Sequence, residues 1–155
     1  MHALRTYDYA VIRVVPRVER GEFVNAGIIL SCDVERILLS SIELDEKALL
    51  AIDSHVDLDL VRSVLQTIPA ICAGGDAAGD IGRLSARERF HWLVAPRSTI
   101  VQTSPVHTGQ CAEPAAALDR ETLLGLGASL ARAAMRSALA AYMGGEVGCR
   151  VMPVS

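Results

Sequence analysis

The sequence predicts an α+β fold: an antiparallel sheet, built from an N-terminal three-stranded meander plus a later fourth strand, with helices packed on one face and a long C-terminal helix. Three observations predict it. Alternation rich in β-branched and aromatic residues fills the chain up to Leu44. Helical i, i+3, i+4 periodicity then replaces it, and a second, short alternating run returns at Thr99–Thr103. At 155 residues the chain suits one domain of common size, expected to occupy residues 1–118, with an apolar C-terminal unit at 119–155.

The first strand is "YDYAVIRVV", residues 7–15, with Tyr7, Tyr9, Val11, Arg13 and Val15 on one face. Pro16 ends it, and "RVERGE" makes a polar turn into "FVNAGIILSC", residues 23–32, where Gly27 signals a bulge or a close backbone approach. A two-residue turn at Asp33 and Val34 is expected to lead into "ERILLSSIEL", residues 35–44, which completes the meander. A short helix follows in "DEKALLAID". A longer one lies in "DLDLVRSVLQTIPAICAGG", where Leu58, Val61, Leu65 and Ile68 form one stripe and Pro69 is expected to kink or restart the helix. "GGDAAGDIG", residues 74–82, has the composition of a mobile loop.

Ser85 with Glu88 three residues on is a capping box, so a helix starts at Ala86, buries Phe90, Leu93 and Val94, and stops before Pro96. The fourth strand, 99–103, is expected to leave the sheet through turns at Pro105 and Gly109. The last quarter reads as a helix capped by Asp119 and stopped by Gly144 and Gly145. Leu124, Ala128, Ala131, Met135, Ala138 and Tyr142 form a stripe of mostly small residues along it. Its other faces are so apolar that the segment predicts an interface with a second copy or with a protein partner.

Charge and cysteine usage exclude several classes. A formal net charge of -3 argues against nucleic acid as a ligand, because neutralising phosphates needs a dense positive face. Cys32, Cys72, Cys111 and Cys149 form no C-x-x-C pair, and His107 with Cys111 has no second pair at ligand spacing, so neither metal nor other cofactor is expected. No run of about 20 uncharged apolar residues occurs, and the N-terminus lacks the continuous apolar core of a signal peptide. A cytoplasmic protein, with no membrane association, is the expectation. The chain carries no Walker loop, no G-x-G-x-x-G and no G-x-S-x-G.

Chemistry-bearing residues concentrate in "ERFHWLVAPRSTIVQTSPVHTG", residues 88–109. Arg97, Ser98 and Ser104, with His107 in a turn, could converge on an anion together with Arg83 and Arg89, near the 74–82 loop. The competing reading leaves the arginines in surface ion pairs and His107 bonded to turn carbonyls. His107 could also serve as a base for Ser104 or Cys111, so enzymatic activity stays open and no catalytic residue is assigned. The charged residues of the first hairpin, Arg17, Glu19, Arg20 and Glu22, read as a solvated tip. Arg13 differs, because on a strand face it needs a partner if buried.

The blocks "YDYAVIRVVPRVERGEFVNAGIILSC", "AIDSHVDLDLVRSVLQTIPAICAGG" and "GRLSARERFHWLVAPRSTIVQTSPVHTG" resemble an uncharacterised bacterial family, domain of unknown function 3037, over about residues 7–118. That resemblance implies no established activity and carries over no catalytic residue. It does imply a partner, since genes resembling this one lie beside kinases resembling the HipA toxin kinases. A non-enzymatic binding or regulatory module acting with a protein partner is therefore the first expectation. A small enzyme or ligand-binding protein for a phosphate-bearing or other anionic metabolite, using Arg97, Ser98, Ser104 and His107, is the alternative.

Overall fold

The computed structural model describes residues 5–111 and 151–153. The sheet order is β3-β2-β1-β5-β6, with β4 also paired to β1, and every pairing is antiparallel. The strands are β1 (Arg5–Val14), β2 (Val24–Cys32), β3 (Ile37–Ile42), β4 (Val101–Thr103), β5 (His107–Cys111) and β6 (Val151–Pro153). Between β3 and β4 come α1 (Glu46–Ile52), α2 (Leu58–Ala73), a 3-10 segment (Asp76–Arg83) and α3 (Ala86–Val94). The expected meander and α+β class are present. The expected C-terminal helix, with its stripe from Leu124 to Tyr142, lies outside the described residues.

Alternation along β1 divides the core in two. Ile12 and Val14 join Ala26, Ile29 and Leu38 in a cluster under the helices, completed by Leu49, Val61, Leu65, Ile68, Ile71, Phe90 and Leu93. Each such side chain contributes roughly 1.5–3 kcal/mol on leaving water, so this face supplies most of the described core. The opposite face holds a smaller cluster, Tyr7, Ile28, Leu30 and Cys32, drawn from strands alone. Gly27 sits where β1 and β2 slip register between Ile12 and Arg13, and a Cβ there would lie 2.2 Å from the Ser41 carbonyl oxygen. The bulge and the close approach expected at that glycine coincide.

Four expectations need correction. The β2–β3 connection is a four-residue turn, Asp33 to Arg36, closed by the Arg36 amide donating to the Asp33 carbonyl at 3.0 Å, so β3 begins two residues later than expected. Arg36 accommodates the extra length with φ 54°. Helix α2 runs through Pro69 as one helix, so the chain does not restart there. Buried Ile68, Ile71 and Cys72 on either side, and outside donors to its last carbonyls, hold the final turn together.

The 74–82 segment is not a structureless loop but mostly 3-10 turns, broken at Gly79, where φ is 63°. The chain also does not leave the sheet after β4. Ser104 is buried and holds it to β1: the Val11 amide donates to Ser104 Oγ at 2.9 Å and the Ser104 amide donates to the Val11 carbonyl at 2.8 Å. The chain then resumes as β5 along the N-terminal half of β1. Gly109 is therefore a strand residue, and its missing Cβ makes room for the Tyr7 phenol, which would otherwise be 2.2 Å away.

Among the described residues no helix is long and apolar enough to cross a membrane.

Candidate functional site

Two elements from distant parts of the chain face each other at one end of the sheet. The end of β2 and the following turn bring Ser31, Cys32, Asp33, Val34, Arg36 and Ile37, and the start of α3 brings Ser85, Ala86, Arg87 and Arg89. They enclose a half-open cleft of about 690 Å³. That lies within the roughly 300–1,000 Å³ of small-molecule sites. Its charged lining residues are Asp33, Arg36, Arg87 and Arg89.

Capping sets the position of α3. The Glu88 amide donates to Ser85 Oγ at 3.2 Å and the Ser85 amide donates to Glu88 Oε2 at 2.9 Å. The hydrogen bond from Ser85 holds the Glu88 carboxyl below its ordinary value. The helix end thus satisfies two of its own donors, and the basic character of the cleft comes from side chains.

Arg87 reaches down to the sheet. Its Nη1 pairs with Asp8 Oδ2 at 2.9 Å and donates to Ser31 Oγ at 3.4 Å, while Asp8 Oδ1 accepts from Thr108 Oγ1 at 2.8 Å. Ser31, Asp8 and Thr108 form one row across β2, β1 and β5, because the register pairs Asp8 with both of the others. Nη2 and Nε of Arg87 have no hydrogen-bond partner among the described residues, and its guanidinium carbon lies 5.3 Å from the Phe90 ring centroid.

Arg89 is committed to the fold. It donates from Nη1 to the carbonyls of Ile71 and Cys72, each at 2.6 Å, and from Nε to Leu84 at 3.1 Å. These cap the C-terminus of α2, where the helix dipole is negative. Gly74 has no room for a Cβ, which would sit 3.0 Å from the Arg89 guanidinium carbon. Beside it, burial pushes the Cys72 thiol up to about 11, against a hydrogen bond from Ser40 and the Arg89 charge, so the thiol is protonated at neutral pH.

Arg36 is the opposite case. It is the one non-glycine with positive φ among the described residues, its side chain is exposed, and no described group bonds or pairs with it. The neighbouring turn acid, Glu35, is drawn away by a salt bridge to Arg5.

Of the six residues expected to bind an anion, the cleft contains Arg89 alone. Arg83 pairs in solvent with Asp80 at 3.6 Å. Arg97 lays its guanidinium 3.9 Å over the Trp92 ring and donates to the Trp92 carbonyl. Ser98 is exposed, and Ser104 is consumed by Val11 and by donating to the Pro105 carbonyl at 2.9 Å. His107 packs on Tyr9 with ring centroids 5.3 Å apart. Tyr9 belongs to the strand-only cluster, so His107 lies on the sheet face opposite the helices, whereas Arg97 is held at the end of α3 by Trp92. Arg13, the hairpin arginine that needed a partner, covers the Phe23 ring at 4.3 Å, its Nε without a hydrogen bond.

Sequence reasoning missed Arg36, Arg87, Ser31 and Asp33. The capping box did locate the start of α3, and with it Arg87. Nothing in the sequence placed the β2–β3 turn opposite.

The arrangement defines a small α+β domain with a basic cleft. The family model described as "Protein of unknown function (DUF3037)" matches residues 9–123, and the chain belongs to that family. No curated protein and no solved structure matches.

Proposed function

We propose that the protein is a non-enzymatic binding or regulatory module whose cleft between the β2–β3 turn and α3 receives an anionic group. The observation that carries this reading is the cleft itself, whose lining joins Arg36, a side chain with no described partner, to Arg87, whose Nη2 and Nε are unbonded, on a chain of net charge -3. A local positive patch on an acidic protein focuses anions at one place. Nothing comparable supports catalysis at Arg97, Ser98, Ser104 and His107. Ser104 spends its hydroxyl on backbone groups, and the Cys72 thiol is held protonated.

The module acts in the cytoplasm together with a protein partner, either a second copy or a kinase resembling the HipA toxin kinases. Support for the partner comes from the family resemblance and from the apolar sequence of residues 120–143. Calorimetric titration with inorganic pyrophosphate tests the cleft. Wild-type protein is expected to bind, with affinity falling as salt rises. Arg36→Gln is expected to bind at least about ten-fold more weakly, or ~1.4 kcal/mol. Equal affinity in the two proteins, or no binding in either, would refute the anion site.

A further inference from the structure

We infer that the ligand of this cleft is a small phosphorylated metabolite, a phosphate monoester on a sugar- or nucleoside-sized body, and that Arg36 selects it. The inference rests on the reading of the cleft as an anion site and commits it to one chemical class.

The available donors decide between anions. Arg89 gives Nε and Nη1 to three carbonyls and keeps only Nη2, whereas Arg87 keeps Nη2 and Nε. Arg36 keeps its whole fork. A carboxylate has two oxygens and is satisfied by the Arg36 fork alone, which leaves Nη2 and Nε of Arg87, whose charge Asp8 already balances, without an acceptor. A phosphate monoester carries about -1.5 to -2 at neutral pH and three terminal oxygens, enough for Arg36, the free half of Arg87 and the Ser85 hydroxyl together. Asp33, on the cleft wall, and Asp8, paired with Arg87, both oppose an anion, so selection rests on the donor geometry of Arg36 and Arg87.

Volume decides between a bare and an esterified phosphate. The cleft of about 690 Å³ is far larger than an inorganic ion needs, and its apolar lining includes Cys32, Val34, Ile37 and Ala86. Val34 is 77% exposed, an apolar side chain at the turn tip that an organic body would cover.

The backbone of Arg36 supplies an independent reason. At φ 54° the low-energy residues are Gly, Asn and Asp, and an arginine there is strained. Such an outlier points to function where the side chain serves something other than folding, and this side chain serves no described contact. Arg36→Gly should therefore raise the melting temperature and at the same time abolish selective binding. A purely structural arginine would not combine those two effects.

The experiment is calorimetric titration of the full chain and of Arg36→Gly with adenosine 5′-monophosphate, glucose 6-phosphate, inorganic phosphate, adenosine, glucose and hexaglutamate. The expected result is at least one ester binding ten-fold or more tighter than inorganic phosphate, no binding of adenosine or glucose, and a ten-fold or greater loss in Arg36→Gly despite its higher melting temperature. If inorganic phosphate binds as tightly as both esters and depends on Arg36, the ligand class is wrong while the anion site stands. If hexaglutamate binds tighter than either ester, the occupant is an acidic polypeptide and the inference falls. If no anion binds, the site itself falls.

Discussion

The two ends of α3 use the same residue types for opposite purposes. At its C-terminal end, Arg97 folds back on Trp92 and donates to the Trp92 carbonyl, so the charge is absorbed by the helix it follows. At its N-terminal end, Arg87 is only half absorbed by Asp8 and Ser31, and Arg36 approaches from another element with no described partner. Both ends are polar and arginine-bearing in sequence. The difference is that a concave space of about 690 Å³ lies at the N-terminal end, whereas at the C-terminal end the Trp92 ring takes up the guanidinium. A cluster of chemistry-bearing residues close in sequence is therefore weaker grounds for a site than unspent donors around a cavity.

Substitutions around α3 separate these roles. The largest effect is expected at Arg89, which lines the cleft but works as the cap of α2. Arg89→Ala should cost ~3 kcal/mol in urea unfolding, since it removes charge-assisted bonds to the carbonyls of Ile71, Cys72 and Leu84. A cost below ~1 kcal/mol would show that those carbonyls find water instead.

Ser85→Ala should cost about 1 kcal/mol at pH 7 by undoing the capping box. Its penalty also depends on pH. The Glu88 carboxyl is held below its ordinary value of 4.5 in the fold, so its contribution is present above that pH and is lost as pH falls through the lowered value. The gap between wild type and Ser85→Ala should therefore narrow, without closing, as pH falls through that lowered value, because the bond from the Glu88 amide to Ser85 Oγ does not titrate; denaturation midpoints across pH 3–7 will show it.

The smallest effect is expected at Arg97. Arg97→Ala removes an exposed cation–π contact worth about 0.5–1 kcal/mol at most, and leaves pyrophosphate affinity unchanged. A ten-fold loss of affinity in that variant would restore the C-terminal end of α3 as the site.

Much of the fold was legible because local signals and tertiary demands agree. The alternation of β1 and β2, the bulge at Gly27 and the capping box at Ser85 are each set by a few adjacent residues. The misjudged places are those where a distant partner decides. Gly109 looks like a turn residue until Tyr7 lies across it from β1. Pro69 looks like a break until Arg89, from α3, bonds the carbonyls just beyond it. The cleft was illegible for the same reason. Arg36 stands in a turn that the sequence marks only at Asp33 and Val34, so it reads as a strand residue, and Arg87 reads as one more helix-surface charge. What brings them together is the packing of α3 over the end of β2, a contact across more than fifty residues of sequence.

The central claim, that an anion is held at the N-terminal end of α3, is tested most directly by following backbone amide shifts of isotope-labelled protein during titration with inorganic phosphate. The largest changes are expected at Arg36, Ser85, Ala86 and Arg87, saturating together and absent in Arg36→Gln. Changes centred on Arg97, Ser98 and His107, or uniform small drifts that never saturate, would contradict it.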